Sequence, residues 1–155
     1  MSHSFVSIFV HATFHIALGA ANIPASKITQ LHGYLNGILR ENGVAGSDIG
    51  GTATHVHILF RLPTTILIGD LIGRVKSNSS RWLHHEGLRN FRWQAGYAGF
   101  SVSATGVESV RTYIRKQYEH HHKLTYREEV DFLFRQHGIN NGGRFFEDTD
   151  NDFAS

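Results

Sequence analysis

The chain has 155 residues and no cysteine, which excludes both a disulfide framework and a thiolate metal site and makes a reducing compartment the simple assumption. It also lacks a long apolar run. The opening segment MSHSFVSIFVHATFHIAL has no basic start and is interrupted by His3, His11 and His15, so it fits neither a signal peptide nor a membrane span. No glycine-rich phosphate loop precedes a predicted helix, and Ser77, Ser79 and Ser80 have no Asp and His partner pattern, which leaves nucleotide-binding and serine-hydrolase chemistry without support. The expectation is a cytoplasmic protein without membrane contact.

What is present is enough to build one core. Hydrophobic residues make up 41% of the chain and include 11 Phe, so a single folded domain is expected over residues 1–139. Glu147, Asp148, Asp150 and Asp152 fall within the last stretch, and residues 140–155 read as an acidic flexible tail. The body is correspondingly basic, although the formal charge is only +2. Arg74, Lys76, Arg81, Arg89, Arg92, Arg111, Arg115, Lys116, Lys123 and Arg127 are spread through the second half. That distribution suits a phosphate backbone and equally an ordinary solvated surface.

Hydrophobic periodicity predicts the element order. Residues 5–17 read as a strand. Ile28, Leu31, Leu35, Ile38 and Leu39 then recur at helical spacing after Pro24, up to Glu41. A short strand around 44–51, a tight turn at Gly50-Gly51 and the strand THVHILF (54–60) follow. Asp70 to His84 is a second helix with Arg74, Lys76, Ser77, Asn78 and Arg81 on its polar face. FSVS (100–103) is a last strand, and helices follow over 107–120 and 126–136, the latter anchored by Phe132 and Leu133. The order β-α-β-β-α-β is that of an α+β, ferredoxin-like (split βαβ) antiparallel sheet with two helices on one face. The C-terminal helices are then left for the other face.

THVHILF carries the first chemistry. With a side-chain period of two, Val56, Ile58 and Phe60 share one face while His55 and His57 share the other. Two imidazoles side by side suit a transition-metal ion, although an isolated HxH more often only makes hydrogen bonds on a sheet face. On the 107–120 helix, Tyr113 and Gln117 stand four apart and so stack on one side, beside an apolar stripe of Val107, Val110, Ile114 and Tyr118. A glutamine amide oxygen can be a neutral ligand, and a phenol one turn earlier would lie near the same ion. The HHH run at 120–122 is a weaker candidate, because consecutive helical residues point apart.

HVH on a strand in this element order, followed by YIRKQYEHH (113–121), resembles the single-tyrosine HUH transposases of small bacterial insertion sequences. The resemblance runs from about Phe5 to Gly138 and includes KSNSSRWL (76–83), WQAGYAGFSVS (93–103) and EEVDFLFRQHGI (128–139). It implies His55, His57 and Gln117 as metal ligands, Tyr113 as the nucleophile and Mg²⁺ or Mn²⁺ as cofactor. It also implies a C-terminal catalytic helix on the sheet's second face. The implied substrate is single-stranded DNA with hairpin ends, nicked to a 5′-phosphotyrosine and later rejoined. The implied assembly is a homodimer able to share its active sites.

Arg74, Lys76, Arg81, Arg111, Arg115 and Lys116 would contact phosphates, with Trp82, Trp93 or Phe100 available for base stacking. Family members often carry Asp directly before the HUH pair, where this chain has Thr54, and the stretch HIALGAANIPA (15–25) is less basic than the family's. A domesticated, palindrome-associated transposase and a catalytically inactive hairpin-binding module are the alternative readings.

Overall fold

Alternation along two central strands decides the architecture. In the computed structural model, which describes residues 2–117, 123–140 and 142–147, β1 (Phe9–His15) and β3 (His55–Arg61) pair antiparallel at the centre of a four-stranded sheet. β2 (Asp48–Gly51) flanks β3 and β4 (Ala98–Val102) flanks β1, giving the order β2-β3-β1-β4 with every pairing antiparallel. α1 (Ala25–Glu41) and α2 (Ile68–His85) are the crossovers of the expected split βαβ arrangement. α3 (Val107–Arg115) and α4 (Tyr126–Gln136) follow, with short 3₁₀ turns at Ala104–Gly106 and Gly142–Phe146.

One face of the sheet is hydrocarbon. Val10, Ala12, Phe14, Val56, Ile58 and Phe60 are buried against Leu31, Leu35, Ile38 and Leu39 of α1 and Leu71, Ile72, Val75 and Leu83 of α2. Trp93 belongs to this core: its ring meets Phe14 and Phe91 edge-on and its indole N–H donates to Ser79 Oγ at 2.9 Å. A buried tryptophan needs such an acceptor, and a buried mid-helix serine provides it. Trp82 is half-buried and stacked on Tyr34, with ring centroids 5.0 Å apart. Phe100 is buried too, so of the three aromatics expected to meet bases only Trp82 has an accessible ring.

The structure shifts several predicted elements. β1 begins at Phe9, because Phe5, Val6 and Ile8 are exposed and have no partner strand to cover them. Gly50 and Gly51 are not a turn but lie inside β2, paired with His57 and Val56; the chain reverses over 52–54. Phe132 is not an anchor of α4: it is 53% exposed, and Val130 and Phe134 are the buried anchors, against Ala98 and Phe100. Helical position explains this, since Phe132 points away from the face that carries Glu129, Val130 and Phe134.

α3 ends at Arg115 with Lys116 as its C-cap, short of the predicted end at 120. Tyr118 and the histidines at 120–122 lie outside the described residues, as do 141 and 148–155 of the expected tail. Residues 142–147 are described, and there Phe145 and Phe146 are half-buried against Tyr126 and His15. Among the described residues no helix is long and apolar enough to cross a membrane.

Candidate active site

The second face of the sheet carries His11, Thr13 and His15 from β1 and His55, His57 and Leu59 from β3. All six are buried, and both HxH histidines are fully so. The pairing places His15 beside His55 and Thr13 beside His57. What covers them is α3 over β2 and β3, and α4 over β4.

Glycine at position 50 sets how closely α3 can approach. A Cβ there would stand 1.9 Å from the backbone oxygen of Ile114, so only the bare backbone of β2 lets this helix lie on the sheet beside His57. Salt bridges hold it in place: Asp48 on β2 accepts from Arg111 at 2.7 Å and from Arg115 at 2.9 Å. Arg111 also pairs with Glu108. Tyr113, between these two arginines, is thereby aimed inward, its ring centroid 5.7 Å from that of His57 and 6.2 Å from that of His11.

Each ligand-type side chain has an orienting partner. His55 Nδ1 lies 3.1 Å from the hydroxyls of both Thr52 and Thr54, so the residue directly before the HxH pair reaches the ring. His55 Nε2 faces Gln117 Oε1 at 3.1 Å. His57 Nδ1 shares a hydrogen bond of 2.8 Å with His11 Nε2. Burial, with a contribution from nearby His137, lowers the His11 pKa to about 4, so this second imidazole is neutral at physiological pH and can accept the His57 Nδ1 proton. With Nδ1 protonated on both HxH rings, both Nε2 lone pairs are left for a cation.

Glu129 of α4 completes the cluster. It is 3% exposed, its Oε1 accepts the Tyr113 hydroxyl, and the Gln117 amide donates to the same oxygen at 3.3 Å. Ligand atoms of His55, His57 and Glu129 all lie within 4.8 Å of one another. Burial first, then the hydrogen bond and charge of Glu129, push the Tyr113 pKa above its ordinary value, with the Gln117 hydrogen bond opposing. The resting phenol is firmly protonated. Tyr126 closes the site from above, stacked on His55 with centroids 4.0 Å apart. Because Thr13 Oγ1 donates to Val56 O at 2.8 Å, the Tyr126 hydroxyl donates to Thr13 at 2.9 Å. Its pKa is raised chiefly by burial.

Two imidazoles, an amide oxygen and a carboxylate fit a divalent cation of the Mn²⁺ or Mg²⁺ type, the carboxylate and amide supplying the oxygen donors that harder ions need. His55, His57, Gln117 and Tyr113, singled out from sequence, are thus brought together, even though the helix is interrupted between Tyr113 and Gln117. Glu129, His11, Tyr126 and Thr52 were missed. His11 was readable, since His11, Thr13 and His15 alternate with Val10, Ala12 and Phe14 as the HxH does on β3. Glu129 was not: its neighbour Glu128 is engaged at the helix start, its N–H donating to the Thr125 hydroxyl and its carboxylate accepting from it, and nothing in the EE pair says which acid turns inward.

The six cations expected at DNA are placed unequally. Lys76 donates to the carbonyl oxygens of Gln94, Ala95 and Gly96 at 2.5, 3.1 and 2.7 Å, so its ammonium fastens that loop. Arg74 donates to Asn42 Oδ1 at 2.7 Å, and Arg111 is held by Asp48 and Glu108. Arg81 and Lys116 are exposed, as is most of Arg115, at 66%.

Comparison with known proteins points the same way. The family model described as "Transposase IS200 like" matches residues 9–117. A solved structure from Deinococcus radiodurans R1, titled as that of a transposase, is similar with TM-score 0.58 at 18% identity, covering 76% of this chain and 96% of that one. A REP-associated tyrosine transposase bound to a REP hairpin is similar with TM-score 0.52 at 13% identity, covering 90% of this chain and 74% of that one. At these identities the two structures support the fold alone. No curated protein matches.

Proposed function

The chain belongs to the IS200-like transposase family, and on that premise we propose that it breaks and rejoins single-stranded DNA through a covalent bond to Tyr113. The observation that carries this reading is the meeting, inside one chain, of the Tyr113 hydroxyl with the buried His55, His57, Gln117 and Glu129 cluster. Exchange of α3 between the subunits of a homodimer is not needed to assemble such a site.

In the forward step the Tyr113 oxygen attacks phosphorus, the bond from phosphorus to the 3′ oxygen breaks, and the products are a 5′-phosphotyrosine and a free 3′-hydroxyl. The phenolic proton departs and the leaving oxygen gains one. Attack by a new 3′-hydroxyl reverses these changes and releases the tyrosine. One phosphoester replaces another at each step, so no nucleotide cofactor is required.

At an ordinary phenol pKa near 10, forming phenolate at pH 7 costs about 4 kcal/mol, and the surroundings of Tyr113 raise that cost. His55, His57 and Gln117 would hold the cation, which supplies Lewis-acid polarisation of the scissile phosphate when bound. The chain's own contribution is orientation: Glu129 fixes the phenol, and α3, seated on Gly50, fixes the tyrosine against the histidines. Arg81 and Lys116 are the exposed cations best placed to track the phosphate backbone, with Arg115 beside them although tied to Asp48, and Trp82 with Tyr34 offers a stacking surface for an unpaired base.

The test is incubation of the purified protein, with Mg²⁺ or Mn²⁺, on single strands carrying the flanking sequences of its own gene. An SDS-resistant adduct mapped to Tyr113, and lost with chelator, in His57→Ala and in Tyr113→Phe, is the expected result. Hairpin binding with no adduct under any of these metals would favour an inactive binding module. Subterminal hairpins on both sides of the gene would mark an autonomous element, and their absence a domesticated one.

A further inference from the structure

We infer that Glu129 is a direct, anionic ligand of the cation held by His55 and His57, so that one carboxylate both completes the ion site and positions the nucleophile. This rests on the metal-assisted reading above and extends it, since the sequence offers only neutral ligands in His55, His57 and Gln117.

Three observations support it. The Glu129 carboxylate lies within 4.8 Å of ligand nitrogens on both histidines, a separation that one ion between them would span. It is 3% exposed and sits with two buried imidazoles and a buried amide. A divalent charge placed in so buried a position against imidazoles and an amide alone would be poorly compensated, and an adjacent carboxylate offsets it. Gln117 bridges the two halves: its oxygen faces His55 Nε2 and its N–H₂ faces Glu129 Oε1. The amide therefore aligns the carboxylate with the histidine pair rather than standing in for it.

A consequence follows for the tyrosine. Tyr113 donates to Glu129 Oε1, the oxygen that also accepts from Gln117. With a cation bound at that carboxylate, Glu129 would hold the phenolic proton less tightly while still keeping the phenol in place. Glu129 is thus a positioning residue for Tyr113 and an ion ligand in its own right, which gives its removal a signature that a merely structural role lacks.

The experiment is a Mn²⁺ titration of the full-length protein without DNA, following free Mn²⁺ by electron paramagnetic resonance. Glu129→Gln preserves shape and the acceptor for Tyr113 but removes the charge, and the expected result is Mn²⁺ binding weaker by at least about tenfold. Tyr113→Phe should not weaken Mn²⁺ binding, because it removes only a hydrogen bond that competes for the Glu129 oxygen. Melting in chelator checks that each variant folds, and Glu129→Asp, which keeps the charge on a shorter arm, should bind between the two. Parent-like affinity in folded Glu129→Gln, with binding abolished by His57→Ala, would overturn the carboxylate ligand and leave the histidine site standing. No Mn²⁺ binding by the parent would overturn both.

Discussion

The two faces of β3 are equally dry and chemically opposite. Val56, Ile58 and Phe60 meet α1 and α2 with hydrocarbon, whereas His55 and His57, each just as buried, meet α3 and α4 with a web of hydrogen bonds. Burial of an apolar side chain needs only a well-filled neighbourhood. Burial of an imidazole calls for partners at its ring nitrogens, and the second face devotes Thr52, Thr54 and His11 to the two Nδ1 atoms, with Gln117 Oε1 facing His55 Nε2. The first face therefore supplies stability, and the second is held in a shape whose use lies in a reaction.

The sharpest way to break that division is to cross it. Phe14→Ala opens a cavity under Trp93 on the apolar face and should cost about 3–5 kcal/mol, read as a lower denaturant midpoint, with Mn²⁺ affinity of the remaining folded protein unchanged. The double variant His11→Leu with His57→Leu replaces both partners of a buried hydrogen bond by apolar groups of similar size. It should leave stability within about 1 kcal/mol of the parent and abolish the tyrosine adduct. If the double variant unfolds the protein as Phe14→Ala does, the polar face is structural as well.

A smaller effect is expected where the faces are joined to their helices. Gly50→Ala adds one methyl group between β2 and the backbone of α3 at Ile114, a contact that cannot be relieved by rotating a side chain. Overpacking of this kind costs about 1–3 kcal/mol. The greater consequence is displacement of Tyr113: a shift of about 1 Å in a positioned nucleophile can lower the rate about 100-fold. Adduct formation should thus fall far more than the loss of stability explains, while Mn²⁺ binding, to which the α3 side contributes Gln117 beside His55 and His57 of β3 and Glu129 of α4, falls less. Equal losses in all three measurements would show that α3 and the ion site move as one.

Much of this contrast could be read in the sequence because a strand's period of two is hard to disguise. HVHILF assigns both faces by itself, and the spacing of Leu31, Leu35 and Leu39 fixes the side of α1 that covers one of them. The failures came where position depends on contacts between distant segments. Gly50-Gly51 has the composition of a turn, and only the approach of α3 shows why glycine is needed within a strand. Lys76 has the look of a phosphate contact until the carbonyls of 94–96 surround it. The apolar pattern of FLF points to Phe132 as readily as to Phe134, because it does not say which aromatic faces β4. Glu129 reaches the site from a helix whose placement no local pattern encodes.

The smallest effect concerns Thr54, where the polar face differs from the family's habit. Its hydroxyl and that of Thr52 stand at the same 3.1 Å from His55 Nδ1, so the ring nitrogen has two neutral acceptors in place of one carboxylate. Losing one should cost little while the other remains: Thr54→Val should weaken Mn²⁺ binding detectably but by less than the roughly tenfold that removal of an only orienting partner brings. Thr52→Val together with Thr54→Val should reach that roughly tenfold loss, since His55 would then lack any fixed acceptor at Nδ1. Thr54→Asp should act in the opposite sense, because a carboxylate accepting the Nδ1 proton makes a stronger, charge-assisted bond and raises the basicity of Nε2. The three variants form a series at one nitrogen, measured by the same Mn²⁺ titration. If Thr54→Asp binds no more tightly than the parent, the threonine pair already orients His55 as well as a carboxylate would, and the departure at position 54 carries no penalty for this face of the sheet.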